Sequence, residues 1–197
     1  MTSVLEMLAR QLGGGTLNQL SRQLGTDEKT TGNAVSAALP VLLAALAKNS
    51  ARPGGAQDLL GALDRDHDGG VLNDVTGFLQ KPDERAGNGI LGHLLGGRRG
   101  QVEQNLSKAS GLDAAGVAKL MTMLAPIVMG ALGRKRREEN LDAGSLSDLL
   151  TRERTSLERQ NPQLGGLVQM LDADGDGQVA DDIASIGKKL LGGLFRR

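Results

Sequence analysis

Apolar residues return every three or four positions along this chain, and no stretch alternates long enough to make a strand. Ser3 and Glu6 read as a capping box ahead of Val4, Leu5, Leu8 and Leu12, and the glycines at 13–15 close that helix. Thr16 is placed to cap a short helix carrying Leu17, Leu20 and Leu24, which Gly25 ends. Thr26 then caps a longer one, with Asp27 and Glu28 in its first turn, where the positive end of the helix dipole favours acids. Val35, Leu39, Leu42, Leu43 and Leu46 form its apolar stripe, with Pro40 in the middle. An interior proline removes one backbone hydrogen bond and presses on the preceding turn, so a kink or break is predicted near 36–39. The expected fold class is all-α.

The pattern repeats. At a shift of 86 residues, 20–46 falls on 106–132 and pairs Leu20 with Leu106, Gly25 with Gly111, Asp27 with Asp113 and Pro40 with Pro126. An equivalent break is expected near 122–125. Two internally related helical repeats follow, residues 1–80 and 90–197, with a joint at KPDERAGNG (81–89). The second half carries a polar insert at 134–163.

Composition points the same way. The chain has no Trp, no Tyr and only Phe78 and Phe195, while sheets lean on aromatic residues and Leu/Ala-rich chains lean towards helix. Its 23 basic and 23 acidic residues balance, so no polyanion is needed as partner. The absence of cysteine excludes disulfides, thiolate metal sites and cysteine nucleophiles. MTSVLEMLARQLGGG has no basic n-region or unbroken apolar core, so no signal peptide is expected. The apolar run 34–47 is too short to span a bilayer. The expectation is a soluble cytoplasmic protein.

Two stretches carry chemistry. LDRDHDGGVLNDV (63–75) and LDADGDGQVADDI (171–183) each set three aspartates at alternate positions before a Gly. Calcium takes six to eight oxygens, and D-x-D-x-D-G gathers them in a tight loop. The first loop offers Asp64, Asp66, Asp68, the Gly70 carbonyl and Asp74; the second offers Asp172, Asp174, Asp176, the Gln178 carbonyl and Asp182. Val71 and Val179 stand where EF-hand loops place the apolar residue that packs paired loops together. Both loops resemble the EF-hand but lack its Glu at position 12, which is Val75 or Ile183 here. The missing bidentate ligand implies weak to moderate calcium affinity. The bland reading is an Asp/Gly-rich turn with aspartates capping helices.

Other candidates are weaker. His93 lies between leucines and His67 at a non-ligating position of the first loop, so no Ser–acid–His arrangement can be assembled and no catalytic residue is assigned. An enzyme would need a polar pocket around His93. LGGG and LGGRRG lack phosphate-loop spacing. RKRREE (134–139) reads as a solvated helix end; its rival use, with helix 113–137, is nucleic-acid binding, though aromatic stacking platforms are missing. The amphipathic tail 181–197 reads as a helix docked on its own core in preference to a membrane surface.

ALPVLLAALAKN, GALDRDHDGGVLNDV, GILGHLLGGRRGQVEQNLSKASGLD and MLAPIVMGALGRKRRE stand in that order along the chain. In these segments it resembles the bacterial "domain of unknown function 937" family over nearly its whole length. The resemblance implies a small helical bacterial protein, sometimes described as homeodomain-like, with no established activity. The resulting expectation is a non-enzymatic helical protein in which two calcium-binding loops stabilise or switch a surface for a protein partner or for self-association.

Overall fold

A computed structural model describes residues 3–160, and among them there is no strand. The described residues form nine α-helices, α1 Val4–Gln11, α2 Gly15–Leu24, α3 Glu28–Ser50, α4 Gly55–Asp66, α5 Val75–Gln80, α6 Glu84–Leu95, α7 Arg99–Ser110, α8 Ala114–Glu139 and α9 Ala143–Gln160. Short 3₁₀ turns at Gly70–Asn73 and Gly96–Arg98 precede α5 and α7. Residues up to Ser156 make one compact unit. The segment 81–89 contains the first turn of α6, and the polar stretch after 134 forms the end of α8 and then α9.

The helix boundaries follow local chemistry. The Ser3 hydroxyl accepts from the Glu6 amide while the Glu6 carboxylate accepts from the Ser3 amide, the reciprocal box expected from the sequence. Glu153 of α9 adds a third bond there, its buried carboxylate accepting from the Val4 amide at 2.9 Å. Two caps differ from expectation. Gly14, not Thr16, precedes α2, and no side chain caps that end. Asp27, not Thr26, caps α3: it has the extended backbone a cap requires, and its carboxylate takes both the amide and the hydroxyl of Thr30. Those bonds hold its carboxyl below the ordinary value.

Neither proline breaks its helix. α3 runs through Pro40 and α8 through Pro126 without interruption. The lost hydrogen bond is a local defect that a long buried helix tolerates when packing holds both sides of it. In α8 the carbonyl left without its helical donor is that of Thr122, four residues before Pro126. Gly87 of α6 lies directly against that carbonyl; a Cβ there would overlap the oxygen. In α3 the equivalent carbonyl belongs to Ser36, an exposed residue.

α8 forms the axis of the core. It packs on α1, α2, α3, α4, α6 and α7, and buries Val117, Leu120, Met121, Leu124, Ile127 and Leu132 among others. Each large apolar side chain so buried contributes roughly 1.5–3 kcal/mol. By length and composition α3 and α8 could each cross a membrane, but 67% and 78% of their apolar windows are buried inside the fold, as in core helices.

Candidate functional site

The first aspartate loop is less of a loop than its spacing suggests. α4 continues through Asp64 and Asp66 and ends at its cap, His67. Residues two apart on an α-helix point about 200° apart around its axis, so Asp64 and Asp66 do not face a common centre. Beyond the cap the chain turns sharply at Gly69, whose φ of 90° only glycine adopts without strain. Asp68 Oδ1 accepts from the Gly70 amide at 2.8 Å and steadies that turn. Asp74 Oδ1 accepts from the Gly77 amide at 2.7 Å, which makes Asp74 the cap of α5.

The corner so formed is pressed onto α8. A Cβ on Gly133 would overlap the carbonyl oxygen of His67, and one on Gly130 would overlap Val71. Val71 therefore packs on α8 at Gly130. The basic end of α8 closes over the same corner. Arg134 donates to the Gly69 carbonyl at 3.0 Å and to Asn73 Oδ1 at 2.6 Å. Arg136 pairs with Asp64 at 3.1 Å, and Arg137 lies 3.5 Å from Asp68. RKRREE is a solvated helix end only from Arg137 onward: Arg134 and Arg136 are partly buried against the acidic corner.

The calcium reading of Asp64, Asp66, Asp68, Gly70 and Asp74 meets a poor fit in this geometry. Two of the carboxylates hold guanidinium groups, one caps a helix, and Asp64 and Asp66 diverge. Among the described residues no three His, Asp or Glu side chains are grouped to hold a metal ion. Asp172, Asp174, Asp176, Gln178 and Asp182 lie outside the described residues, as does the tail 181–197.

The model of a family of bacterial proteins of unknown function, DUF937, matches residues 6–135. The chain belongs to that family. No curated protein and no solved structure matches it. The DUF937 match holds α1 to α7, the acidic corner and α8 as far as Lys135. It is narrower than the near-full-length resemblance expected, and the second aspartate loop lies beyond it.

The DUF937 fold also brings together two residues that sequence reasoning set aside. His67 and His93 line one cleft of about 220 Å³ between α3, α4 and α6. Leu46, Leu94 and Met129 give it an apolar interior, and Asp58 joins the histidines among its polar residues. Partial burial pushes the His67 imidazole below its ordinary value, against a smaller opposing pull from Asp66.

Proposed function

We propose that this DUF937 protein is a non-enzymatic helical module that acts through contact with a protein partner or with a second copy of itself. Its two aspartate loops have different uses. The corner at 63–75 is an arginine-held latch that fastens α4 and α5 to α8. The stretch at 171–183 keeps the calcium assignment, through Asp172, Asp174, Asp176, the Gln178 carbonyl and Asp182. A cytoplasmic setting is part of the proposal.

The observation that carries this division is the engagement of Arg134, Arg136 and Arg137 with the corner. A divalent ion bound at 64–74 would have to displace two guanidinium groups, uncap α5 and unwind the last turn of α4. The rival reading, a nucleic-acid-binding helix ending in RKRR, loses support from these contacts, because all four of its basic groups already have partners, Lys135 in an ion pair with Glu139. Salt-dependent retention on DNA would restore it.

Calorimetric calcium titration of EDTA-treated protein is the test. The expected result is one site, lost in the Asp172→Ala, Asp174→Ala variant and kept in the Asp64→Ala, Asp66→Ala variant. Two sites, or loss of binding on changing Asp64 and Asp66, would overturn the division. Absence of any calcium heat would remove the assignment at 171–183.

A further inference from the structure

The cleft that holds both histidines combines an apolar interior with a polar rim that carries an acid. Its interior is hydrocarbon, from Leu46, Leu59, Ile90, Leu94 and Met129. Among the described residues no Lys or Arg lines it, and Asp58 supplies its one permanent charge. The amide and hydroxyl side-chain donors along its wall are already committed. Asn49 Nδ2 donates to the Ala45 and Leu94 carbonyls at 2.8 and 3.1 Å, and the Ser50 hydroxyl donates to the Ala47 carbonyl at 2.9 Å. What remains towards the cavity is the Asp58 carboxylate, which only accepts, and two imidazoles, each with an acceptor nitrogen beside its N–H when neutral. The His67 imidazole, held towards its neutral form by burial, keeps an acceptor nitrogen at neutral pH.

A ligand complementary to such a cleft brings hydrogen-bond donors and positive charge to the polar rim and hydrocarbon to the interior. An anion finds no cation there and meets Asp58. Size narrows the class further. At about 220 Å³ the cleft falls below the roughly 300–1,000 Å³ of sites for drug-sized ligands, so its occupant is small. We propose that the cleft between α3, α4 and α6 binds a small apolar amine, its hydrocarbon body against Leu46, Ile90, Leu94 and Met129 and its ammonium group at Asp58, His67 and His93. This site is separate from the arginine-held corner, although His67 belongs to both: its carbonyl faces Gly133 while its side chain lines the cleft.

The experiment is an NMR titration of the full chain with three probes of one length, n-hexylamine, 1-hexanol and hexanoate, read at the imidazoles of His67 and His93 and the methyl of Met129. Hexylamine is expected to give saturable shifts at all three residues, with hexanol roughly threefold to fivefold weaker, the range for a rim charge partly exposed to water. Hexanoate should bind more weakly still. Asp58→Asn should bring hexylamine down to the level of hexanol, and Ala62→Phe, which fills the cleft from α4, should abolish the shifts. The proposal is overturned if hexylamine leaves these residues unmoved up to its solubility limit. It is equally overturned if hexanol or hexanoate matches hexylamine, or if Ala62→Phe binds as the unaltered chain does. A melting curve checks that Ala62→Phe is folded; should it not be, the Asp58→Asn comparison decides alone.

Discussion

The helix pairs α2–α3 and α7–α8 begin alike and end differently. Each first helix is closed by a left-handed glycine, Gly25 at φ 66° and Gly111 at φ 78°. Each second helix is capped by an aspartate, Asp27 or Asp113, whose carboxylate accepts from the amide three residues on. Leu20 and Leu106 are both buried, and Pro40 and Pro126 occupy the same place. The departures come later. Ala44 and Ala47 of α3 correspond to Gly130 and Gly133 of α8, the two positions where the acidic corner lies against bare backbone. Lys48, Asn49 and Ser50 correspond to Arg134, Lys135 and Arg136, so a helix end that caps its neighbours in α3 becomes a clamp in α8. The carbonyl freed by Pro126 is covered by Gly87, whereas that freed by Pro40 belongs to exposed Ser36. α8 lies at the centre of the fold, and its glycines at 130 and 133 leave bare backbone where the acidic corner docks.

The sharpest way to break this comparison is to add a methyl group where α8 and its partner touch through backbone. Gly133→Ala or Gly87→Ala forces a Cβ into a carbonyl, at an expected cost of about 3 kcal/mol. For a chain of this size that lowers the melting temperature by roughly 6–12 °C. The reverse change in the other pair, Ala47→Gly, should cost only about 1 kcal/mol, from helix propensity. Equal losses in both directions would show that the corner does not depend on the missing Cβ.

Next come the arginines, whose ranking follows geometry. Arg134→Ala removes two charged-donor bonds, one to a backbone carbonyl, and should cost about 2 kcal/mol by urea denaturation. Arg136→Ala should cost less than about 1 kcal/mol, since both partners of that pair are partly exposed. Arg137→Ala, at 3.5 Å and more exposed still, should be close to neutral. A flat ranking would mean that charge alone, not the contact with the Gly69 carbonyl, holds the corner.

The cap of α8 sits below these. Asp113→Ala should destabilise by about 1 kcal/mol, and Asp27→Ala should change stability in the same direction. The smallest expected effect is that of pH on His67. Its folded pKa lies below the ordinary 6.5, because burial disfavours the charged form. The unfolded chain therefore binds more protons on the acid side. Stability rises with pH up to about the unfolded value and then levels, and it falls again as pH drops through that window. His67→Gln should flatten the slope there; an unchanged slope would assign it to other groups.

How much of this was legible in the sequence depends on how local the cause is. The Ser3–Glu6 box, the glycine stops and the helical class are written within four or five residues of where they act. Cap choice was harder: Thr26 and Asp27 are both able to cap, and the choice fell to whichever carboxylate or hydroxyl reached Thr30. At the prolines the sequence shows the lost hydrogen bond but not the packing that keeps each helix continuous. Asp64, Asp66 and Asp68 were read through their spacing to one another. The arginines that meet Asp64 and Asp68, Arg136 and Arg137, lie about seventy residues away, beyond any periodicity. The cleft was illegible for the same reason: Asp58, His67 and His93 share it only once α3, α4 and α6 have packed.

Native-state hydrogen exchange at the corner tests most directly whether α8 holds it in place. The Gly70 amide donates to Asp68 and the Leu72 amide to the Gly69 carbonyl, inside the turn that Arg134 grips. In Arg134→Ala both amides should exchange roughly tenfold faster, while the Gly87 amide in α6 keeps its rate. Unchanged exchange at Gly70 and Leu72 would mean that the turn stands without its arginine, and the latch would have no basis.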